Sequence, residues 1–140
     1  MVDRNENIHY AGLFLDFDYM WEKISRITDG RFRRVIKRPH ITLLYKPEIP
    51  DYSLVGTKAR VIVTGYGYNE ENEGLSVKIE TDNERLKALF DAVEKPHITL
   101  TVAKEGHSVN TRYVDFRSVP MVTLTAVYGV VTDDGELITE

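Results

Sequence analysis

The sequence contains no cysteine. This absence excludes disulfides, thiolate metal sites and cysteine nucleophiles. The chain also has no apolar run near the roughly 20 residues that a membrane-spanning helix needs, and residues 1–7 are too polar for a secretory signal. We therefore expect a cytoplasmic protein that does not associate with a membrane.

An overall excess of basic residues is absent as well. The chain has 18 Lys and Arg against 22 Asp and Glu, for a formal net charge of -4. This charge argues against the broad basic face of a protein that binds nucleic acid by charge alone. One local exception is a cluster of five cations within eight residues, namely Arg31, Arg33, Arg34, Lys37 and Arg38. The cluster is either a solvated face or a rim that steers phosphates.

Length and composition are those of an ordinary globular domain. At 140 residues the chain can bury a substantial core, and its hydrophobic share is 42% against 29% charged residues. We therefore expect one domain over residues 1–140, which acts as a monomer.

A five-residue motif occurs twice in the chain. Pro-His-Ile-Thr-Leu occupies residues 39–43 and returns, 57 residues later, at residues 96–100. In a chain of this length such a return indicates a duplicated structural unit. We place the two pseudo-twofold halves at about residues 8–73 and 74–140.

The first motif is typical of a β-strand with polar chemistry on one face. Successive strand side chains point to opposite faces, so we expect His40, Thr42 and Lys46 on one face and Tyr45 on the other. By the same rule, the second motif places His97 and Thr99 together.

If the two strands lie side by side around a pseudo-twofold axis, two histidines and two threonines converge on one cleft. Such a cleft suits acid/base chemistry on a phosphodiester.

The remaining segments predict an α+β domain of two similar lobes. The expected strands cover residues 10–15, 59–64, 75–80 and 121–132, the expected helices cover about residues 19–28 and 86–93, and residues 105–117 form a polar loop. We expect hairpins through residues 69–74 and 134–135. Asp18 is expected to cap the first helix, and Thr81 to form a capping box with Glu84 before the second. The histidine strands are expected at the centre, with the helices outside.

Two His-x-Thr motifs, one in each half of a small duplicated α+β domain, resemble those of the 2H phosphoesterase superfamily. This family includes bacterial RNA cyclic phosphodiesterases, the cyclic phosphodiesterase domains of tRNA ligases, and viral or phage members that cut oligonucleotide second messengers. The resemblance covers about residues 10–131. It implies a duplicated two-lobed fold, in which antiparallel sheets surround a central cleft and the helices lie outside.

Carried over residue by residue, the resemblance implies that His40 and His97 are catalytic and that Thr42 and Thr99 bind the substrate phosphate. One histidine would take a proton from water while the other protonates the departing ribose oxygen. Histidine suits both roles because its ordinary pKa lies near 6.5. This chemistry needs no metal and no other cofactor. The pseudo-symmetry leaves open which histidine is the acid.

Five further side chains are candidates for substrate contact. Lys46, Lys104 and Arg38 could reach a phosphate, and Tyr66 and Tyr68 could stack on a base. The expected partner is an RNA end or a small nucleotide.

The other histidines and the tryptophan are expected to have ordinary roles. Four histidines without cysteine or a close His-x-x-x-His pair do not make a zinc site. We expect His9 in solvent and Trp21 in helix packing. His107 lies in a polar loop, and contact between His107 and the substrate is left open.

The resemblance points to a metal-independent phosphodiesterase that opens 2′,3′-cyclic phosphates on RNA or nucleotides. Two alternatives stay open. The same four residues would serve a phosphodiesterase that degrades 2′,5′-linked or cyclic oligonucleotide second messengers. The cleft could also belong to a non-catalytic module that binds an RNA end or a nucleotide, although binding alone would not require two titrating groups.

Overall fold

The computed structural model describes residues 6–140. In this range the chain forms eight β-strands, two α-helices and one 3₁₀ helix. In chain order they are β1 (Ile8–Phe14), α1 (Phe17–Ile24), β2 (Arg34–Val35), β3 (His40–Tyr45), β4 (Lys58–Tyr68), β5 (Asn72–Glu80), α2 (Glu84–Asp91), β6 (His97–Val102), the 3₁₀ helix (Ser108–Tyr113), β7 (Arg117–Thr132) and β8 (Leu137–Ile138). The α+β class is confirmed. Neither α-helix in residues 6–140 has the length and apolar character needed to cross a membrane.

The strands form one antiparallel sheet with the order β2-β6-β5-β4-β7-β1-β3, and β8 pairs with β7. The expectation of separate sheets with central histidine strands was therefore wrong. β3 lies at one end of the sheet and β6 lies next to the other end. Four strands separate them in this order, yet their Cα atoms approach within 8 Å. The sheet is therefore curved, and its curvature brings the two histidine strands together.

The two histidine strands are paired in the same way. β3 pairs with β1 so that Gly12 faces Thr42, and β6 pairs with β5 so that Gly74 faces Thr99. In both pairs the register shifts at the residue before the glycine. A Cβ atom on either glycine would collide with the carbonyl oxygen of the isoleucine in the motif. Glycine therefore permits the close approach of the strands at both places.

Both helices pack on the face of the sheet away from the histidines. Their buried side chains share one core with the isoleucines of the two motifs, the set being Met20, Ile24, Leu86, Phe90, Ile41 and Ile98. Each such side chain contributes about 1.5–3 kcal/mol when it is fully buried. Because strand side chains alternate, His40 and His97 occupy the opposite face.

The first helix begins and ends earlier than expected. Asp16 is the N-cap, and its carboxylate accepts a hydrogen bond from the main-chain N–H of Tyr19 at 3.0 Å. Asp18, the expected cap, lies in the first turn, where its charge still favours the positive end of the helix. The helix ends at Ile24 rather than at residue 28.

The second helix is capped by Asn83 and not by Thr81. The Asn83 side chain accepts a hydrogen bond from the N–H of Leu86 at 2.9 Å. Thr81 Oγ1 accepts instead from the N–H of Asn83 at 3.1 Å, which makes a local turn before the helix. The capping-box pattern was present, but the helix starts at Glu84 and leaves Thr81 outside it.

The expected strands are present, and most extend beyond their expected bounds. β4 and β5 form the expected hairpin, and β7 turns through residues 134–135 into β8. Gly135 has a φ of 89°, which favours glycine in this turn. The expected loop at residues 105–117 contains the 3₁₀ helix, which brings Ser108 and Val109 to the histidine face of the sheet.

Candidate active site

One cavity brings together the four polar residues of both motifs. It has a volume of about 550 Å³, and His40, Thr42, His97 and Thr99 all line it. The convergence expected from the repeat is therefore present, although it is produced by a curved sheet and not by adjacent strands. The remaining lining residues are mostly apolar or aromatic, namely His9, Tyr10, Ile36, Tyr45, Ser108 and Val109.

Each histidine is held by a main-chain hydrogen bond. His40 Nδ1 lies 2.9 Å from the carbonyl oxygen of Arg38, and His97 Nδ1 lies 2.8 Å from that of Lys95. A carbonyl oxygen only accepts, so Nδ1 carries the hydrogen in both rings. The lone pair of each neutral imidazole is then on Nε2. Both rings are therefore in the tautomer that can act as a base through Nε2.

Burial lowers the pKa of His40 below its ordinary value of 6.5, and the hydrogen bond to Arg38 partly opposes this shift. The positive charges of His97 and Arg38 lower the pKa of His40 further. Burial also lowers the pKa of His97, with a smaller contribution from the charge of Arg112. In the free protein, both rings are therefore more readily neutral than an exposed histidine.

Aromatic packing distinguishes His40 from His97. The His40 ring stacks against Tyr10 with centroids 4.9 Å apart, and against Phe14 with centroids 5.1 Å apart. Phe14 is the strand partner of His40, whereas Ser76 is the strand partner of His97. The environments of the two histidines are thus unequal despite the matching register.

The two threonines differ even more. Thr42 is exposed, and its hydroxyl has no hydrogen-bond partner among residues 6–140. Thr99 is only 8% exposed, and its hydroxyl donates to the carbonyl oxygen of Ser108 at 3.1 Å. The hydroxyl oxygen of Thr111 lies 2.8 Å from that of Thr99. The Thr42 hydroxyl is therefore available to bind a ligand in the cavity, whereas the Thr99 hydroxyl already donates a hydrogen bond within the protein.

A β-bulge changes which residue follows Thr42 on the cavity face. Two consecutive residues of β1 pair with Thr42 and Leu44, so β3 carries one extra residue between them. An extra residue shifts the later side chains to the other face. Tyr45 therefore lines the cavity, and Lys46 does not. Lys46 has a φ of 46°, is exposed, and holds its ammonium 5.4 Å from the Tyr45 ring centroid.

Tyr66 and Tyr68 lie outside the cavity lining. Tyr66 is only 1% exposed, and its hydroxyl donates to Glu73 and accepts from the N–H of Asp29. Burial raises the pKa of this phenol, and the hydrogen bond to Glu73 raises it further. A side chain buried in this way cannot stack on a base, so the role expected of Tyr66 does not fit. Tyr68 is 42% exposed, and the Arg31 guanidinium lies 4.1 Å from its ring centroid.

Arg38 and Lys104 are exposed and do not line the cavity. Arg38 still acts on the site, because its charge lowers the pKa of His40. Within residues 6–140, no member of the cation cluster at residues 31–38 forms an ion pair. No Asp or Glu occurs between Asp29 and Glu48 in the sequence. Three members of the cluster have other contacts: Arg34 donates to the main-chain carbonyl oxygen of Gly106, Arg31 lies over the Tyr68 ring and Lys37 lies over the Phe17 ring. Arg38 is the member whose charge acts on His40.

Several residues of the site were not foreseen. His9 was expected in solvent but is partly buried and lines the cavity, and Tyr10 stacks on His40. Asn72 and Thr111 reach the site through Thr99. Tyr10 and Asn72 each lie two residues before a glycine that faces a motif threonine. An alignment of the two halves on those glycines would have pointed to both residues.

Metal-ligating side chains do not gather at one place in the described range. Among residues 6–140, no group of three or more His, Cys, Asp or Glu side chains is arranged to hold a metal ion. The cavity offers the imidazoles of His40 and His97, both in a base-competent tautomer, and the hydroxyls of Thr42 and Thr99. Groups of this kind transfer protons and donate hydrogen bonds to a developing anion.

The chain matches no protein-family model and no curated protein.

Proposed function

We propose that this protein is a metal-independent phosphodiesterase of the 2H type, which opens 2′,3′-cyclic phosphates at RNA ends or on nucleotides. The observation that carries the proposal is the convergence of His40, His97, Thr42 and Thr99 on one cavity. The matching register of the two histidine strands supports the duplicated, two-lobed architecture that belongs to this proposal. The proposal includes a monomer that acts in the cytoplasm.

The reaction needs one neutral and one protonated histidine. Nε2 of the neutral ring takes a proton from water as the water oxygen bonds to phosphorus. The bond from phosphorus to one ribose oxygen breaks, and the protonated ring gives its proton to that oxygen. The product is a phosphate monoester, and the two rings have exchanged protonation states. Each transfer contributes roughly 10²- to 10⁴-fold to the rate.

Hydrogen-bond donors in the cavity stabilise the charge that develops on the non-bridging oxygens. The Thr42 hydroxyl is exposed to the cavity and has no competing partner among the described residues. The negative charge of a bound phosphate raises the pKa of a nearby histidine, which opposes the lowering by burial. Substrate binding therefore favours the state in which one ring is protonated.

A second candidate is hydrolysis of a 2′,5′-linked or cyclic oligonucleotide. It is favoured by the cations near both histidines. The charge of Arg38 acts on His40, and the charge of Arg112 acts on His97. Arg38 and Arg112 together can neutralise more than one phosphate of a short oligonucleotide.

One experiment separates these functions. The protein is incubated in EDTA with RNA ending in a 2′,3′-cyclic phosphate, with 2′,5′-oligoadenylate, and with cyclic di- and trinucleotides, and the products are identified by phosphorus NMR. The proposal predicts a 2′- or 3′-monoester from the cyclic-phosphate RNA. Products only from the oligonucleotides would favour the second candidate. Binding without any product would indicate a non-catalytic module and would overturn both.

A further inference from the structure

A chain of polar side chains runs from β5 through the 3₁₀ helix to Thr99. Asn72 is fully buried, and its Nδ2 donates to the carbonyl oxygen of His107 at 2.9 Å and to Thr111 Oγ1 at 3.0 Å. Thr111 is also fully buried, and its hydroxyl meets that of Thr99 at 2.8 Å. Thr99 then donates to the carbonyl oxygen of Ser108 at 3.1 Å.

The direction of these hydrogen bonds is fixed by which atoms can donate. A flipped Asn72 amide would set its oxygen against the His107 carbonyl oxygen, and two acceptors cannot bond. The amide nitrogen therefore faces Thr111. The single hydroxyl hydrogen of Thr99 goes to Ser108, so the hydrogen between the two threonines belongs to Thr111. One N–H of Asn72 donates to the His107 carbonyl oxygen, and the remaining donors point along one path, from Asn72 through Thr111 and Thr99 to Ser108.

Within residues 6–140, this hydrogen-bond path is present at Thr99 and has no counterpart at Thr42. In the pairing register, Tyr10 of the first half occupies the position that Asn72 occupies in the second half. Tyr10 stacks on His40, and Thr42 has no hydrogen-bond partner in the described range. Thr99 therefore has a fixed orientation, whereas the Thr42 hydroxyl is free to rotate.

We propose that Asn72 and Thr111 are positioning residues that hold the Thr99 hydroxyl as a donor to the substrate phosphate. The Ser108 carbonyl is the resting acceptor, which the phosphate replaces. This inference rests on the proposed phosphodiesterase function and names two residues that the resemblance does not supply.

The replacement is physically favourable. A phosphate oxygen is charged, and charge-assisted hydrogen bonds are about twice as strong as neutral ones. Ser108 is exposed and lines the cavity, so water can solvate its carbonyl once Thr99 turns away. The bond from Thr111 to Thr99 remains throughout. Because hydrogen bonds in a chain polarise one another, this bond strengthens Thr99 as a donor.

The test compares Thr111→Val, which removes the hydroxyl, with Thr111→Ser, which keeps it. Thr101→Val is the matched control. Thr101 is 1% exposed and lies in the same strand, and its hydroxyl donates to Glu73 at 2.8 Å, outside the cavity lining. The measurements are kcat and KM on a short RNA ending in a 2′,3′-cyclic phosphate, the binding of inorganic phosphate followed by NMR, and the thermal midpoint of unfolding.

We expect Thr111→Val to lower kcat about tenfold or more, since an oxyanion donor contributes about 10²- to 10³-fold. KM should change less than kcat, and Thr111→Ser should restore most of the rate. Thr101→Val should lower the midpoint of unfolding because it removes a buried hydrogen bond to Glu73. It should leave kcat within about twofold, since Thr101 does not line the cavity. Asn72→Ala and Thr111→Val should be non-additive in kcat because both act through Thr99.

The inference is overturned if folded Thr111→Val keeps the kcat of the Thr101→Val control. The phosphate measurement separates this failure from a failure of the proposed function. If the wild-type protein does not turn over the RNA, the proposed function fails. The positioning role is then supported if Thr111→Val weakens phosphate binding about fivefold or more relative to Thr101→Val, and overturned if the two variants bind equally.

Discussion

His40 and His97 line one cavity, and each imidazole donates through Nδ1 to the main-chain carbonyl oxygen two residues before it, at 2.9 and 2.8 Å. In both motifs that carbonyl belongs to the residue before a proline. A residue before proline is restricted to extended conformations. The repeated proline therefore helps to fix the acceptor that sets the histidine tautomer.

The pH dependence of turnover should differ between the free protein and its complex with substrate. The pKa values of His40 and His97 both lie below 6.5 in the free protein, and the mechanism proposed above needs one protonated and one neutral ring. That state is most populated between the two pKa values, so the bell-shaped profile of kcat/KM should peak below pH 6.5. Bound phosphate raises both pKa values, so the profile of kcat should peak at a higher pH. Steady-state rates measured from about pH 4.5 to about pH 9 cover both limbs of the bell and give both profiles.

A phosphodiester does not titrate in this range, so both limbs report on the protein. A kcat/KM maximum clearly above pH 7, or a profile with no acid limb, would contradict the assignment of His40 and His97 as the two titrating groups.

The two threonines should differ in their effect on stability. Thr42→Val removes an exposed hydroxyl without a partner in the described range, so the free energy of unfolding should change by less than about 0.5 kcal/mol. Thr99→Val deprives Ser108 and Thr111 of a buried partner and should cost about 1–3 kcal/mol. Urea denaturation followed by circular dichroism measures both values. Equal effects would show that Thr99 is not held as described.

Glu73 should be one of the most sensitive positions for folding. It is fully buried and accepts hydrogen bonds from Tyr66, Thr101 and the main-chain N–H groups of residues 30 and 31. Glu73→Gln replaces one accepting oxygen with a donor and leaves buried donors unpaired. We expect a loss of about 3 kcal/mol or more in the free energy of unfolding. The measurement is chemical denaturation at pH 7.

Glu80→Gln is the matched control for this prediction. Glu80 pairs with Arg60 at 3.6 Å, and the side chains are 60% and 65% exposed. Such exposed pairs contribute about 0–1 kcal/mol. A Glu73→Gln protein as stable as the Glu80→Gln protein would contradict the structural role given to Glu73.

Gly12→Ala and Gly74→Ala should destabilise the protein to a similar extent. In each variant the new Cβ atom meets a carbonyl oxygen of the histidine strand, so the strands must move apart. We expect a cost of about 1–3 kcal/mol or more for each. Gly135→Asn is the control, because Asn tolerates a positive φ and no atom lies within 4 Å of a Cβ there. The measurement is the midpoint of thermal unfolding of the three variants. A lower midpoint for Gly135→Asn than for the two alanine variants would contradict the prediction.

Local features of the fold could be predicted from the sequence. The alternation within the motifs placed His40 with Thr42 and His97 with Thr99, and the structure brings all four to one cavity. The β4–β5 and β7–β8 hairpins followed from turn residues between apolar runs. These features depend on residues that are close together in the chain, so their patterns are visible without a structure.

Features that depend on distant residues could not be predicted. The Asn72–Thr111 hydrogen bond joins residues 39 positions apart, and the sequence around Asn72 does not specify Thr111 as its partner. The position of the histidine strands near the ends of the sheet depends on how all the strands pair. The bulge at Thr42 reversed the faces of Tyr45 and Lys46, since one extra residue shifts all later side chains.

The most direct test of the account is the turnover of cyclic-phosphate RNA by His40→Ala and His97→Ala in the presence of EDTA. His107→Ala is the control, because His107 is exposed and outside the cavity lining. The account predicts that each cavity variant loses at least about 10²-fold in kcat while the control keeps its rate. Full activity in a folded His40→Ala or His97→Ala protein would contradict it.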